Sequence, residues 1–124
     1  MITIIVPCYN EQETIPRFYI ELNRVTEMMT GIVFDILFIN DGSKDDTLAE
    51  IKDLHAKDSR VRYISFSRNF GKEAAIYAGL QHSRGEYIAI IDADLQDPPA
   101  LLPEMYRLIA EEGYDSVATR RVTR

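Results

Sequence analysis

The chain has 124 residues, 46% hydrophobic, 27% charged and 10% aromatic, the balance of one soluble domain that builds a core without disulfides or structural metal. Its net charge of −6 argues against nonspecific binding to nucleic acid or to an anionic membrane surface, so any anionic ligand must be held locally. The single Cys8, the absence of a basic leader and the lack of an apolar run near 18 residues point to a cytoplasmic chain with neither export signal nor membrane span.

Ile2 to Pro7 is a short β-branched apolar run, the pattern of a strand buried on both faces. From about Thr14, apolar residues at Ile15, Phe18, Tyr19, Leu22, Val25 and Met29 recur at helical spacing, with Pro16 in the first turn and Gly31 past the end. Phe34 to Ile39 reads as the second strand. A helix follows from about Asp46 to Ala56, with Ser43 or Asp45 as N-cap and Leu48, Ile51 and Leu54 facing inward. Val61 to Phe66 is a third strand, Lys72 to Ser83 an Ala-rich helix, and Tyr87 to Ile91 a fourth strand. A helix from about Pro99 to Glu112 and a fifth strand from Tyr114 to Thr119 complete the pattern. Strands alternating with helical crossovers imply an α/β fold, a mostly parallel sheet with helices on both faces.

In such a sheet ligands bind outside the carboxyl ends of the strands. Here those ends carry Cys8-Tyr9-Asn10-Glu11, Asn40-Asp41-Gly42-Ser43, Arg68-Asn69-Phe70-Gly71-Lys72 and Asp92-Ala93-Asp94. Asp92 and Asp94, at i and i+2 on extended backbone, lie about 6–7 Å apart at Cα and point the same way. Two such carboxylates suit one hard divalent cation, Mg²⁺ or Mn²⁺, which shares its shell with substrate phosphates; Gln96 offers an amide oxygen. The same stretch also suits an Asp-rich turn in which Asp97 caps the next helix.

Arg68 and Lys72 bring cationic side chains to a helix start where backbone N–H groups already favour anions, a setting for a diphosphate; a solvated helix start is the plainer reading. Tyr9 offers a ring for stacking on a base or sugar, or simply packs against the core. His55 and His82 lie alone on helices, and Cys8 reads as a small buried side chain. No Gly-x-Gly-x-x-Gly, P-loop or Gly-x-Ser-x-Gly sequence occurs, which sets aside the dinucleotide-binding, P-loop and α/β-hydrolase classes.

Val6-Pro7-Cys8-Tyr9-Asn10-Glu11, Asn40-Asp41-Gly42-Ser43-Lys44-Asp45-Asp46-Thr47, Ser67-Arg68-Asn69-Phe70-Gly71-Lys72-Glu73-Ala74-Ala75 and Asp92-Ala93-Asp94-Leu95-Gln96-Asp97-Pro98-Pro99 together resemble the ordered motifs of family 2 glycosyltransferases. The branch they most resemble contains dolichol-phosphate mannosyltransferase and bacterial undecaprenyl-phosphate sugar transferases. The resemblance implies a GT-A-type fold that binds a nucleotide-diphosphate sugar. On it, Pro7, Tyr9 and Glu11 line the nucleoside pocket and Asp41 contacts base or ribose. Arg68 and Lys72 fall in the motif after the third strand, and Asp92, Asp94 and Gln96 hold Mg²⁺ or Mn²⁺.

The family chain continues past Arg121, so residues 1–124 correspond to its amino-terminal, donor-binding part. The general base and any membrane-associated helices lie in the later part, and no catalytic base is assigned in this chain. The implied acceptor is a polyprenyl phosphate, met at the cytoplasmic face of a membrane, and an exposed sheet edge leaves room for pairing with another copy. A nucleotide-sugar binding module without turnover and a Mg²⁺-dependent phosphotransferase remain the alternatives.

Overall fold

A computed structural model describes residues 1–94 and 98–111. Four strands, β1 (Ile2–Cys8), β2 (Phe34–Asn40), β3 (Val61–Ser65) and β4 (Tyr87–Ile90), pair in parallel in the order β3-β2-β1-β4. The central pairing sets Ile2 beside Phe34 and Cys8 beside Asn40, and β4 joins the other side of β1 with Ile5 opposite Ile90. The expected fifth strand, Tyr114 to Thr119, lies outside the described residues.

Every residue of β1 and β2 is buried, because helices cover both faces of the sheet. One face takes α1 (Ile15–Met28) and α2 (Thr47–Lys57), whose Phe18, Leu22, Val25 and Ile51 pack on Ile4, Val6, Ile36 and Phe38. The alternate residues Ile5, Leu37 and Ile39 meet Ala75 of α3 (Lys72–His82) on the other face. Small residues bring α3 close: a Cβ on Gly79 would stand 2.6 Å from the Ile5 side chain. Its Ala-rich sequence therefore serves backbone approach rather than a broad apolar stripe.

Two corrections to the sequence reading have local causes. The last helix opens as a 3₁₀ turn, Pro99–Leu101, and becomes α4 only at Leu102–Ala110. Pro103 has no N–H to return to Pro99, so the chain tightens first, with Leu102 N–H donating to the Pro99 carbonyl. The N-cap of α2 is Asp46, not Ser43 or Asp45. Asp45 still serves the helix start, since its Oδ1 accepts the Thr47 N–H at 3.0 Å, while Ser43 Oγ accepts the Asn10 N–H instead.

Two ion-pair clusters fix the layers at the edge away from the strands' carboxyl ends. Arg62 forks onto Asp35 at 2.7 and 2.8 Å, and its Nη2 also donates to the His82 carbonyl at the end of α3. Asp35 in turn accepts from Thr3, whose Oγ1 receives the N–H groups of Arg84 and Gly85. Beyond α2, Arg60 pairs with Asp58 and reaches Asn23 and Thr26, while the Tyr19 hydroxyl donates to Asp58 at 2.6 Å. Among the described residues no helix is long and apolar enough to cross a membrane.

Candidate functional site

After β3 the chain crosses back to lay β4 on the far side of β1, which makes the β1/β4 boundary the topological switch point of the sheet. A cleft of about 240 Å³ opens there. Pro7, Cys8, Tyr9 and Glu11 line it from the end of β1, Asp41 from β2, Lys72 and Ala75 from α3, and Asp92 and Asp94 from beyond β4. Residues up to 87 positions apart in sequence thus share one cavity. Arg68 is the expected site residue that does not line it; its guanidinium lies 4.7 Å over the Phe70 ring. Gln96 lies outside the described residues.

The loops after β1 and β2 are tied to each other. Asn10 sits in the left-handed region with φ of 51°, which asparagine tolerates better than most residues. Its N–H donates to Ser43 Oγ at 2.9 Å, and its Oδ1 accepts the Lys44 N–H at 2.8 Å. Thr47 Oγ1 then accepts the Glu11 N–H at 2.8 Å. This turn sends the ring of Tyr9, 42% exposed, to the cleft rim and the Glu11 side chain to its half-buried wall. Asn10 is a positioning residue that the sequence reading passed over, although its place directly after a buried strand was a usable signal.

Asp41 is 4% exposed, and its carboxylate is used within the protein. Oδ1 accepts the Phe70 N–H at 2.7 Å, and Oδ2 accepts from the Gly71 N–H and Asn69 Nδ2 at 3.0 Å each. The carboxylate therefore holds the segment that leads into α3. The fit is close: a Cβ on Gly42 would stand 2.1 Å from the Arg68 carbonyl carbon, and Gly42 has φ of +66°.

Lys72, the first residue of α3, donates from Nζ to Asp92 Oδ2 at 2.8 Å. Burial, followed by the negative charges of Asp94 and Asp92, pushes the Glu11 carboxyl above its ordinary value, against hydrogen bonds from Thr14 and the Tyr9 backbone. The Cys8 thiol is pushed well up by burial, then by Glu11 and Asp92, and it donates to the Val6 carbonyl. Glu11, Asp92 and Asp94 thus line one cleft, and the two aspartates act on the Glu11 carboxyl. Among the described residues no three His, Cys, Asp or Glu side chains form a ready-made metal cage. Asp92 and Asp94 are the acidic residues of the cleft beyond β4, and carboxylate oxygens are the donors that hard divalent ions take.

The model of the family Glycosyl transferase family 2 matches residues 3–124. The chain belongs to this family. CsbB of Bacillus subtilis is 51% identical over 121 residues, covering 98% of this chain and 36% of its own length. The bactoprenol glucosyl transferase of Shigella phage SfX is 45% identical over 125 residues, covering 99% of this chain and 40% of its own. The chain therefore spans roughly two-fifths of these curated relatives.

The mannosyltransferase PcManGT of Pyrobaculum calidifontis, solved with GDP-Man and Mn²⁺, superposes with a TM-score of 0.73 at 21% identity, over 89% of this chain and 32% of that one. Glucosyl-3-phosphoglycerate synthase of Mycobacterium tuberculosis, solved with Mn²⁺, UDP and glucosyl-3-phosphoglycerate, gives 0.69 at 24%, over 90% and 40%. The likeness establishes a GT-A-type fold.

Proposed function

We propose that this chain holds the donor, a nucleotide-diphosphate sugar, for a family 2 glycosyltransferase whose acceptor is a polyprenyl phosphate at the cytoplasmic face of a membrane. One observation carries the reading: Glu11, Asp41, Lys72, Asp92 and Asp94, from four separate segments, meet in one cleft at the sheet's switch point. Support for the donor comes from PcManGT, solved with GDP-Man and Mn²⁺. The relatives named bactoprenol glucosyl transferase support the lipid acceptor.

The roles follow from what each side chain offers. Tyr9 presents an exposed ring at the rim, and Pro7 and Glu11 wall the same end of the cleft, where the nucleoside lies. Lys72 supplies a flexible ammonium for a phosphate oxygen. Asp92 and Asp94, with Gln96, hold Mg²⁺ or Mn²⁺, which when bound neutralises charge on the departing diphosphate. Asp41, on the cleft wall, meets the base or ribose and also fixes the backbone from Asn69 to Gly71.

In the reaction, an acceptor phosphate oxygen bonds to the anomeric carbon as the bond to the nucleoside diphosphate breaks and its electrons leave with that group. A phosphate monoester has a second pKa of about 6, so it is largely ionised at neutral pH and asks little of a protein base. The test is incubation with UDP- or GDP-sugars, Mn²⁺ and undecaprenyl phosphate, with extraction of the lipid. Glycosylated lipid supports transfer by this chain. Donor binding without transfer favours a donor-holding module. Absence of both contradicts the proposal.

A further inference from the structure

Lys72 stands where a helix does not favour it. As the first residue of α3 it puts a positive charge against the positive end of the helix dipole. Its Nζ instead donates to Asp92 Oδ2 at 2.8 Å. The pair is lopsided: the Lys72 side chain is 58% exposed and that of Asp92 only 14%. The carboxylate is thus part of the cleft wall, and the ammonium reaches in from the rim.

The backbone that carries Lys72 is fixed. Gly71 donates its N–H to both oxygens of Asp41, and its φ of +105° lies where side-chain-bearing residues are strained. Beyond that anchor the lysine has four rotatable carbons and a strongly hydrated, compact charge. One fixed origin can therefore serve two positions of the ammonium. Asp92, Asp94 and Glu11 line the same cleft as Lys72.

We propose that Lys72 is a place-holding cation, neutralising Asp92 in the empty cleft and releasing it when a divalent ion arrives, so that the freed ammonium takes a phosphate oxygen of the donor. This rests on the donor-and-metal reading above and adds a competition to it. Lys72 works against the metal when no nucleotide is present and with it when nucleotide is bound. Loading of metal and donor is coupled through one side chain, and the coupling is reciprocal.

The test measures Mn²⁺ binding to the 124-residue chain by the electron-spin signal of the free ion, with no nucleotide present, in wild type, Lys72→Met, Lys72→Arg and Asp94→Asn. Lys72→Met is expected to bind Mn²⁺ about fivefold tighter, the scale of a largely exposed ion pair removed. Lys72→Arg keeps the charge and stays near wild type. At saturating Mn²⁺, Lys72→Met is expected to bind UDP or GDP about fivefold more weakly. If Asp94→Asn loses Mn²⁺ while Lys72→Met is unchanged or weaker, the place-holding role is wrong and the metal site stands. If Asp94→Asn binds Mn²⁺ like wild type, both are wrong.

Discussion

Asp41 accepts the backbone N–H of Phe70 at 2.7 Å, across 29 residues of sequence. The bond makes a buried acid at the end of β2 into the anchor of the turn that launches α3, and so fixes where Lys72 begins. Replacing Asp41 with Ala leaves the Phe70 and Gly71 N–H groups without this acceptor. The expected loss is about 2–3 kcal/mol of stability, measured by urea unfolding. Asp41→Asn, which keeps one carbonyl oxygen, is expected to lose less.

Gly42 packs against the same turn. A methyl group there would overlap the Arg68 backbone and force an L side chain to a φ of +66°. Gly42→Ala is expected to cost about 2–4 kcal/mol. It should also weaken donor binding, because the displaced backbone leads to Lys72. Unfolding and nucleotide titration on the same sample check both effects; wild-type stability would show that the turn yields freely.

Acid should weaken the fold partly through Asp58. Hydrogen bonds from Arg60 hold its carboxyl down at about 2, against the effect of burial, and the Tyr19 hydroxyl adds to them. Since the unfolded value is about 3.9, the folded state favours the ionised form. The resulting stabilisation is complete above the unfolded value and disappears as pH falls through about 2. Asp58→Asn is therefore expected to be less stable than wild type at pH 7, with the difference shrinking between about pH 5 and pH 2 in urea melts.

Glu11 has the opposite sign. Its carboxyl is raised by burial and by Asp94 and Asp92, so its ionisation costs stability at neutral pH. Glu11→Gln keeps an oxygen for the Thr14 hydroxyl, which donates to Oε2 at 3.1 Å, and removes the charge. The ligand-free variant is expected to melt about 1–2 °C higher at pH 7. At pH 4, where the carboxyl is largely protonated, the two should converge.

The architecture was legible because apolar period switches cleanly between strands and helices. Ile2 to Pro7 and Phe34 to Ile39 carry the uniform burial of strands covered on both sides. The convergence of Tyr9, Glu11, Asp41, Lys72, Asp92 and Asp94 on one cleft was legible by position, since strand ends converge in a parallel sheet. What sequence could not show was pairing at a distance. Asp41 lines the cleft as expected but also holds the N–H groups of Phe70 and Gly71, and Lys72 reads as a free cation until Asp92 lies 2.8 Å away. The left-handed turn at Asn10 and the placement of Arg68 over Phe70 also depend on tertiary packing.

On the proposed function, the acidic pair beyond β4 retains a divalent ion that in turn retains a nucleotide diphosphate. Calorimetric titration of UDP, GDP and CDP, each with and without Mn²⁺, into wild type, Asp92→Asn and Asp94→Asn tests it most directly. One nucleotide is expected to bind wild type only with Mn²⁺, and either substitution is expected to abolish this while the circular dichroism spectrum is unchanged. Equal binding by all three proteins, or binding indifferent to Mn²⁺, would contradict it.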